Sequence, residues 1–497
     1  MIDPKIFDTY EPTIGIECHV QLKTKSKLFS GADNDARDKA PNSPGVVSPI
    51  CFGLPGTLPV LNQGAVDLAI KAGVALNAKV APLSSFDRKH YFYPDLPKGY
   101  QITQLDRPII GPGVVEVPVG DKLVEVRIHH AHLEEDAGKS THPAGADYSL
   151  VDYNRAGTPL IEIVSEADMH SAAEAKAYVQ ELNYLMRYAD VTEGNLFYGN
   201  QRFDVNISVA KKGADKWGTR AEVKNLNSFR AVEKAVEYEF KRQVELLERG
   251  EQVAQETRGW HDAKQKTFSQ RSKEEAEDYR YFPEADIPPV EVTEAQIEAA
   301  AKEVTPTLPW TIRRKLEADG IAIATTNTLL EFPDIIAVCL ELQSKSSKEV
   351  LKAAVNLLVN TELRYRKLAE DENAEVPAIM PPATTIANLI QLYLDKKISS
   401  NALLELYDKL RNHEAAATLD VTKLAEESGL VQVSDESEIE AIVDAVLADP
   451  AAAKAVADVK AGEQRAIGFL VGLVMKQSKG KANPGMVSAL LRKKLQA

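Results

Sequence analysis

The chain has 497 residues, of which 44% are hydrophobic and 27% charged, and its formal net charge is −14. That length supports several cores, and two to four domains are expected. No apolar run approaches the roughly 18 residues of a membrane span, so no membrane association is expected. An acidic chain makes a poor non-specific coat for nucleic acid, although a local basic patch can still hold one structured RNA.

Cys18, Cys51 and Cys339 are far apart and odd in number. They provide no disulfide framework and no metal spacing, which fits a reducing cytoplasm. Residues 1–10 lack the basic-then-apolar pattern of a secretory signal.

Period-two alternation predicts strands over 13–22, 124–134 and 202–209. Helical spacing predicts helices over 65–76, 171–188 and 228–249. Strands and helices mixed without a regular βαβ rhythm point to an α+β domain spanning 1–293. Pro288-Pro289 and the acidic, alanine-rich stretch after Glu291 mark a boundary. Residues 294–428 read as a helical domain, broken at Pro306, Pro309 and Pro381-Pro382. A third region, 429–497, carries three helical patterns. The first is a stripe of Ile439, Ile442, Val443, Val446 and Leu447. The second surrounds 469–475, and the third opens on Asn483-Pro484, a good cap followed by a first-turn proline.

On the first strand, alternation places Ile14, Ile16, Cys18 and Val20 on one face and Glu17, His19 and Gln21 on the other. A carboxylate and an imidazole two residues apart can bind one metal ion from the same side, and an ordinary solvated face is the plain alternative. The run HHAHLEEDAGKS at 129–140 lacks cysteines at zinc spacing. It is not a phosphate-binding loop, because Leu133 stands where that loop needs glycine. Its acids suit a hard cation such as Mg²⁺. Glu162 sits inside an apolar strand, where it needs either a site or a salt bridge to offset burial. Lys89, Tyr91 and Lys98 belong to a stretch of cations interleaved with aromatics, suited to phosphate or RNA, or simply to snorkelling lysines. Arg202, Asp204 and Asn206 share a strand face that lines a polar cavity or meets water, and Lys224 follows. Lys476, Lys479, Lys481, Arg492, Lys493 and Lys494 form a basic island with no acid among them. Lysines opposing a helix dipole are the alternative there.

The order and wording of these runs resemble the B-subunit family of the aspartyl/glutamyl-tRNA(Asn/Gln) amidotransferases. The likeness rests on GIECHVQLKTKSK at 15–27, FDRKHYFYPD at 86–95, HLEEDAGKS at 132–140 and GTPLIEIVSE at 157–166. KNLNSF at 224–229, DYRYFPEAD at 278–286, KGKANP at 479–484 and LLRKKL at 490–495 extend it over the whole chain. The resemblance implies a glutamine synthetase-like cradle with a mixed or antiparallel sheet. An all-α helical domain and a tRNA-binding, YqeY-like helical tail would follow. It implies ATP-dependent phosphorylation of the side-chain carboxylate of Glu-tRNA(Gln), Asp-tRNA(Asn) or both. Amidation then follows with ammonia that a partner amidase, the glutaminase component, releases from glutamine. A small third protein would complete a heterotrimer.

The same resemblance implies Mg²⁺ ligands at Glu17, His19, Glu135 and Glu162, with Glu135 taken in preference to Glu134 on the opposite strand face. It places Lys89 and Lys98 near the ammonia channel and the site, and Tyr91, Asp204, Asn206 and Lys224 at the nucleotide. Lys479, Lys481, Arg492, Lys493 and Lys494 would meet tRNA. Many family members carry Cys-x-Cys and Cys-x-x-Cys zinc ligands. Here those positions read Ser30-Gly31-Ala32 and Ser48-Pro49-Ile50-Cys51. One thiolate cannot build a tetrahedral zinc site, so no structural zinc is expected and 31–47 is expected to be a mobile loop. The residues alone also leave open a non-catalytic tRNA-binding scaffold and a free-standing carboxylate–amine ligase.

Overall fold

The structure is a computed structural model. It describes residues 4–143, 145–272, 278–371, 380–411, 419–432, 436–461, 463, 465–478 and 482–496. The chain forms two compact units, 1–311 and 312–497.

The first unit is built on a nine-stranded sheet. Its strands are β1 (Tyr10–Gln21), β2 (Ala78–Val80), β3 (Ile110–Val119), β4 (Lys122–Glu135), β5 (Pro159–Ser165), β6 (Gln201–Lys211), β7 (Ala221–Leu226), β8 (Glu256–His261) and β9 (Lys266–Ser272). Their spatial order is β9-β8-β7-β6-β1-β5-β4-β3-β2. Only β7 and β8 run parallel, so the sheet is mixed, as the α+β reading expects. The first strand of the chain therefore lies in the middle of the sheet, between strands that follow it by more than a hundred residues.

Alternation along β1 decides which side becomes core. Ile14, Ile16, Cys18 and Val20 are all essentially inaccessible. Each such aliphatic side chain contributes about 1.5–3 kcal/mol by leaving water. They pack in one cluster with residues of α1 (Gln63–Ala75), α2 (Ala172–Tyr188) and α3 (Phe229–Glu248). Each helix starts where a side chain caps it: Asn62 accepts from the Gly64 amide, Ser171 from Glu174 and Ser228 from Ala231. These starts lie within two residues of the expected ones. With helices on one face, the other face of β1 is left to Glu17, His19 and Gln21.

A register shift interrupts β4. Ser165 pairs with Ile128, yet the preceding Val164 pairs with His130, which leaves His129 as an extra residue. Beyond it, Ala131 and Leu133 turn to the core, and His130, His132 and Glu134 share the polar face.

The stretch 31–47, expected to be mobile, is tied down. Asn154 donates to the Ala40 carbonyl at 2.8 Å and accepts from the Ser43 amide at 2.9 Å. Asn42 accepts from the Tyr153 amide at 2.8 Å, and Asp33 donates its amide to Gly45 at 2.8 Å. A buried ammonium anchors the base of the loop. Lys27, with no exposed surface, donates to the Asn154 and Ala156 carbonyls at 2.8 and 2.6 Å. Its Nζ lies 3.8 Å from Cys51 Sγ, which also meets the Ser48 and Ser30 hydroxyls at 3.3 and 3.7 Å. Burial would raise that thiol; Lys27 and Ser48 hold it below its ordinary value.

The second unit is helical throughout its regular described elements. Buried Glu362 accepts from Arg366 at 3.0 Å, Arg411 at 3.1 Å and Tyr407 at 2.9 Å, so its charge is fully paired. The helices Glu436–Leu447, Ala453–Lys460, Ala466–Gln477 and Pro484–Gln496 enclose an apolar cluster that includes Ile439, Val443, Leu470, Val487 and Leu491. Among the described residues no helix is long and apolar enough to cross a membrane.

Candidate active site

Strand register assembles the site. On β1, His19 pairs with Glu162 of β5 and with Arg202 of β6, and Glu17 pairs with Asp204 of β6. Glu162 pairs in turn with His132 of β4, Leu160 with Glu134, and Asn206 with Glu222 of β7. Directly opposed residues point to one face of a sheet. Glu17, His19, His132, Glu134, Glu162, Asp204 and Glu222 therefore converge from five strands.

Two groups of ligand atoms result, each lying within 4.8 Å of one another: His19 with Glu134 and Glu162, and Glu17 with Asp204 and Glu222. His19 joins them. Its Nδ1 lies 3.2 Å from Glu134 Oε1 and 3.9 Å from Glu162 Oε2, and its Nε2 lies 3.9 Å from Asp204 Oδ2. His132 Nε2 lies 3.3 Å from Glu162 and 3.6 Å from Glu134. His132 Nδ1 is buried with no hydrogen-bond partner among the described residues. Asn206 donates to Glu17 Oε1 at 2.9 Å, and Lys224 lies 3.2 Å from Glu222 and 3.8 Å from Asp204. The Asn225 amide donates to Asp204 Oδ1 at 2.9 Å from a left-handed backbone with φ of 60°, a conformation asparagine tolerates. Arg202 donates to Asp136 Oδ2 at 2.9 Å.

The electrostatics follow from crowding. Burial would lower both imidazoles, but Glu162 and Glu134 raise His19 to about 9, and the same two acids raise His132 to about 10. Against the effect of burial, these imidazoles hold Glu134 and Glu162 below the usual carboxylate range. Burial and then the charges of Glu162, Asp204 and Glu222 push Glu17 up. The two imidazoles thus hold their protons between ionised acids, and Glu17 is held toward its protonated form. The oxygen-rich donor set of the cluster fits a hard divalent cation, whose binding would displace the imidazole protons.

Several expected residues meet here and others do not. Glu17, His19, Glu162, Asp204, Asn206 and Lys224 lie together. Glu135 does not join them, and the preference for it over Glu134 is corrected. Successive side chains of a strand point to opposite faces, and β4 turns Glu134 toward His19. Glu135 accepts from the Ile102 amide at 3.0 Å and pairs with Lys98. That pair lines a small pocket with Lys27, Cys51 and Asp95. Tyr91 is packed edge-on against Tyr93 and Tyr279, and Lys89 Nζ lies 4.6 Å from the Tyr279 ring centroid. In the second unit Arg492 and Lys493 are exposed. Lys494 is instead engaged by Glu440 at 2.7 Å and Asp444 at 2.6 Å. Lys479 and Lys481 lie outside the described residues.

Sequence reasoning did not select His132, Glu134 or Glu222. Their shared parity with Glu162 and Asp204 is visible only once the strands are paired.

A proton count tests this reading. Both imidazoles have folded values above the unfolded value of about 6.5, so their stabilisation is complete below that pH and is lost as pH rises through 9 to 10. In chelator-treated protein, NMR should find both rings protonated at pH 7.5. Adding Mg²⁺ should release protons into weakly buffered solution, and Glu134→Gln should reduce the release. Rings that are neutral at pH 7.5 without metal would refute the assignment.

Residues 12–298 match the model of the GatB/GatE catalytic domain, and residues 340–495 match that of the GatB domain. The chain is 42% identical over 491 residues to the B subunit of the aspartyl/glutamyl-tRNA(Asn/Gln) amidotransferase of Carboxydothermus hydrogenoformans, covering 98% of this chain and 99% of that protein. It is 44% identical over 489 residues to the protein of the same name from Bdellovibrio bacteriovorus, with the same coverage of both chains. The like-named protein of Polynucleobacter asymbioticus is also 44% identical, over 497 residues, again covering 98% of this chain and 99% of the relative. With both domain models matched in order and nearly the full length aligned, this chain belongs to the GatB family of tRNA-dependent amidotransferase subunits.

Proposed function

We propose that the carboxylate cluster of the first unit activates the side-chain carboxylate of Glu-tRNA(Gln) or Asp-tRNA(Asn) with ATP, for amidation by ammonia. The observation that carries this is the convergence of Glu17, His19, Glu134, Glu162, Asp204 and Glu222 on one sheet face. An acyl phosphate forms only when a carboxylate and a triphosphate are brought together against their repulsion. Bound Mg²⁺ would supply the screening charge for that encounter. His19, Glu134 and Glu162 would hold one ion, and Glu17, Asp204 and Glu222 another. Lys224 and Arg202 add fixed positive charge on the same face. Asn206 orients Glu17, and the Asn225 amide orients Asp204.

Glu135 and Lys98 hold each other on the far side of β4, with Lys98 Nζ 5.3 Å from the Tyr100 ring centroid. We read this as the side on which ammonia arrives. The family resemblance supports a glutamine synthetase-like cradle, a partner amidase that hydrolyses glutamine, a small third protein in a heterotrimer, and a cytoplasmic site of action. Transamidation of both mischarged tRNAs by the purified complex tests the reading.

Glu134→Gln should weaken Mg²⁺ binding by at least about tenfold, as one charged ligand is lost. It should abolish ATP-dependent phosphate release on mischarged tRNA while basal glutamine hydrolysis by the partner persists. Glu135→Gln should leave Mg²⁺ affinity within about twofold, because its carboxylate faces Lys98. Isothermal titration of both variants separates the neighbours; equal losses would reject the assignment of Glu134.

Arg492 and Lys493 are exposed cations of the last helix that offer charge for tRNA in a chain of net charge −14. Reversing both to Glu should raise the half-saturating tRNA concentration. It should also flatten the salt dependence of binding by about 0.7–0.9 in slope for each phosphate no longer neutralised. An unchanged slope would leave them as solvated helix-end residues.

No structural zinc belongs to this reading, since hydroxyls of Ser30 and Ser48 surround Cys51. Elemental analysis should find no stoichiometric zinc; one equivalent lost on Cys51→Ser would overturn this.

A further inference from the structure

Adjacent residues of a strand normally face opposite ways. His129 and His130 do not. Ile128 and Ala131, which flank them, are both core residues, 1% and 0% exposed, although they stand three positions apart. The two histidines between them therefore both turn to the polar face, His129 exposed and His130 half-buried. The cause is the extra residue in β4. Val164 pairs with His130 and Ser165 with Ile128, so His129 has no opposite number on β5.

The bulge brings the two rings together. Their centroids lie 5.0 Å apart with the planes at 75°, and the two Nδ1 atoms are 2.7 Å apart. One of these nitrogens can donate a proton to the other. When neither carries a proton, two lone pairs are left in one gap, and that is the arrangement of a chelate. Metal–nitrogen bonds of about 2.0–2.1 Å to both atoms would subtend an angle of roughly 80–85° at the metal. That is close to the right angle of a tetragonal Cu²⁺ or Ni²⁺ site, and well short of the roughly 109° of tetrahedral zinc.

The surroundings favour a cation. Both rings line an open hollow of about 870 Å³ together with Arg127 and Glu166. The Arg127 guanidinium is taken up by Asp168, at 2.6 and 2.9 Å, and Glu166 adds a carboxylate to the wall. His130 is held from behind by His132, stacked at 5.3 Å between centroids and 18° between planes. His132 is fixed in turn by Glu162 and Glu134. One ring of the pair is thus oriented before any ion binds. Neither His129 nor His130 belongs to the two groups of ligand atoms in the carboxylate cluster.

We propose that His129 and His130 form a bidentate site for a late first-row divalent cation of the Cu²⁺ and Ni²⁺ class, separate from the carboxylate cluster. The remaining coordination positions face the open hollow and are filled by solvent. The site depends on the bulge and on the His-His pair, and on no step of the amidation.

Cu²⁺ is the probe, with the full-length chain kept in excess Mg²⁺. Equilibrium dialysis should find one Cu²⁺ equivalent whose affinity falls by about tenfold or more in His129→Asn and again in His130→Asn, since removing either ring opens the chelate. His129 is exposed, so its substitution should leave the melting temperature unchanged. His19→Asn disturbs the carboxylate cluster and should keep this equivalent. Electron paramagnetic resonance of Cu²⁺ bound to His19→Asn should show splitting from two ring nitrogens. Wild-type affinity in either His129→Asn or His130→Asn would overturn the assignment. So would loss of the equivalent in His19→Asn, or a wild-type chain that takes up no Cu²⁺ beyond the cluster.

Discussion

The structure of the first unit turns on like-charge repulsion. Glu17, Glu134, Glu162, Asp204 and Glu222 stand on adjacent strands of one sheet, with ligand atoms a few ångströms apart. Isolated carboxylates at such distances in a partly buried place would drive the strands apart or take up protons. The strands stay paired, and the charge is met by proton uptake. His19 and His132 sit between acids as cations, and Glu17 is pushed toward its protonated form. The sheet tolerates the charge because the opposite face is anchored to three helices through an apolar cluster. Burial on one side holds in place a face whose like charges are unfavourable on the other.

The central position of β1 assembles the site. β1 pairs along its length with β6 and over its second half with β5, so each residue of its polar face has opposed partners on one or both sides. His19 can reach Glu134, Glu162 and Asp204 only from that middle position. Around this rigid centre the remaining polar groups are placed by single hydrogen bonds, such as Asn206 to Glu17 and the Asn225 amide to Asp204.

Elsewhere the fold uses buried cations as fasteners. Lys27 gathers two carbonyls and the Cys51 sulfur below the 31–47 loop. Glu362 in the second unit shows the converse, a buried carboxylate held by Arg366, Arg411 and Tyr407. A buried pair of this kind adds little net stability over an apolar replacement, but losing one partner costs about 3–5 kcal/mol, which fixes the local arrangement.

What is local was legible in the residues themselves. Alternation in 13–22 set which face of β1 would be apolar, and the caps at Asn62, Ser171 and Ser228 set where three helices begin, because both depend on neighbours a few residues away. The unusual runs around Glu17, Glu162 and Lys224 were enough to identify the family. Which acids meet was settled by strand pairing. Glu134 and Glu135 are adjacent in sequence, and only the register of β4 against β5, shifted by the extra residue at His129, turns the first toward His19 and the second toward Lys98. Glu222 enters through the pairing of β7 with β6, and the order of 31–47 through Asn154, more than a hundred residues away. Composition changes at Pro288-Pro289, whereas packing joins the helix Glu294–Val304 to α1 through Lys71 and Glu303. Such contacts have no sequence signature because hydrogen-bond register and side-chain packing are set jointly by distant segments, and a shift of one residue reverses the face on which every side chain falls.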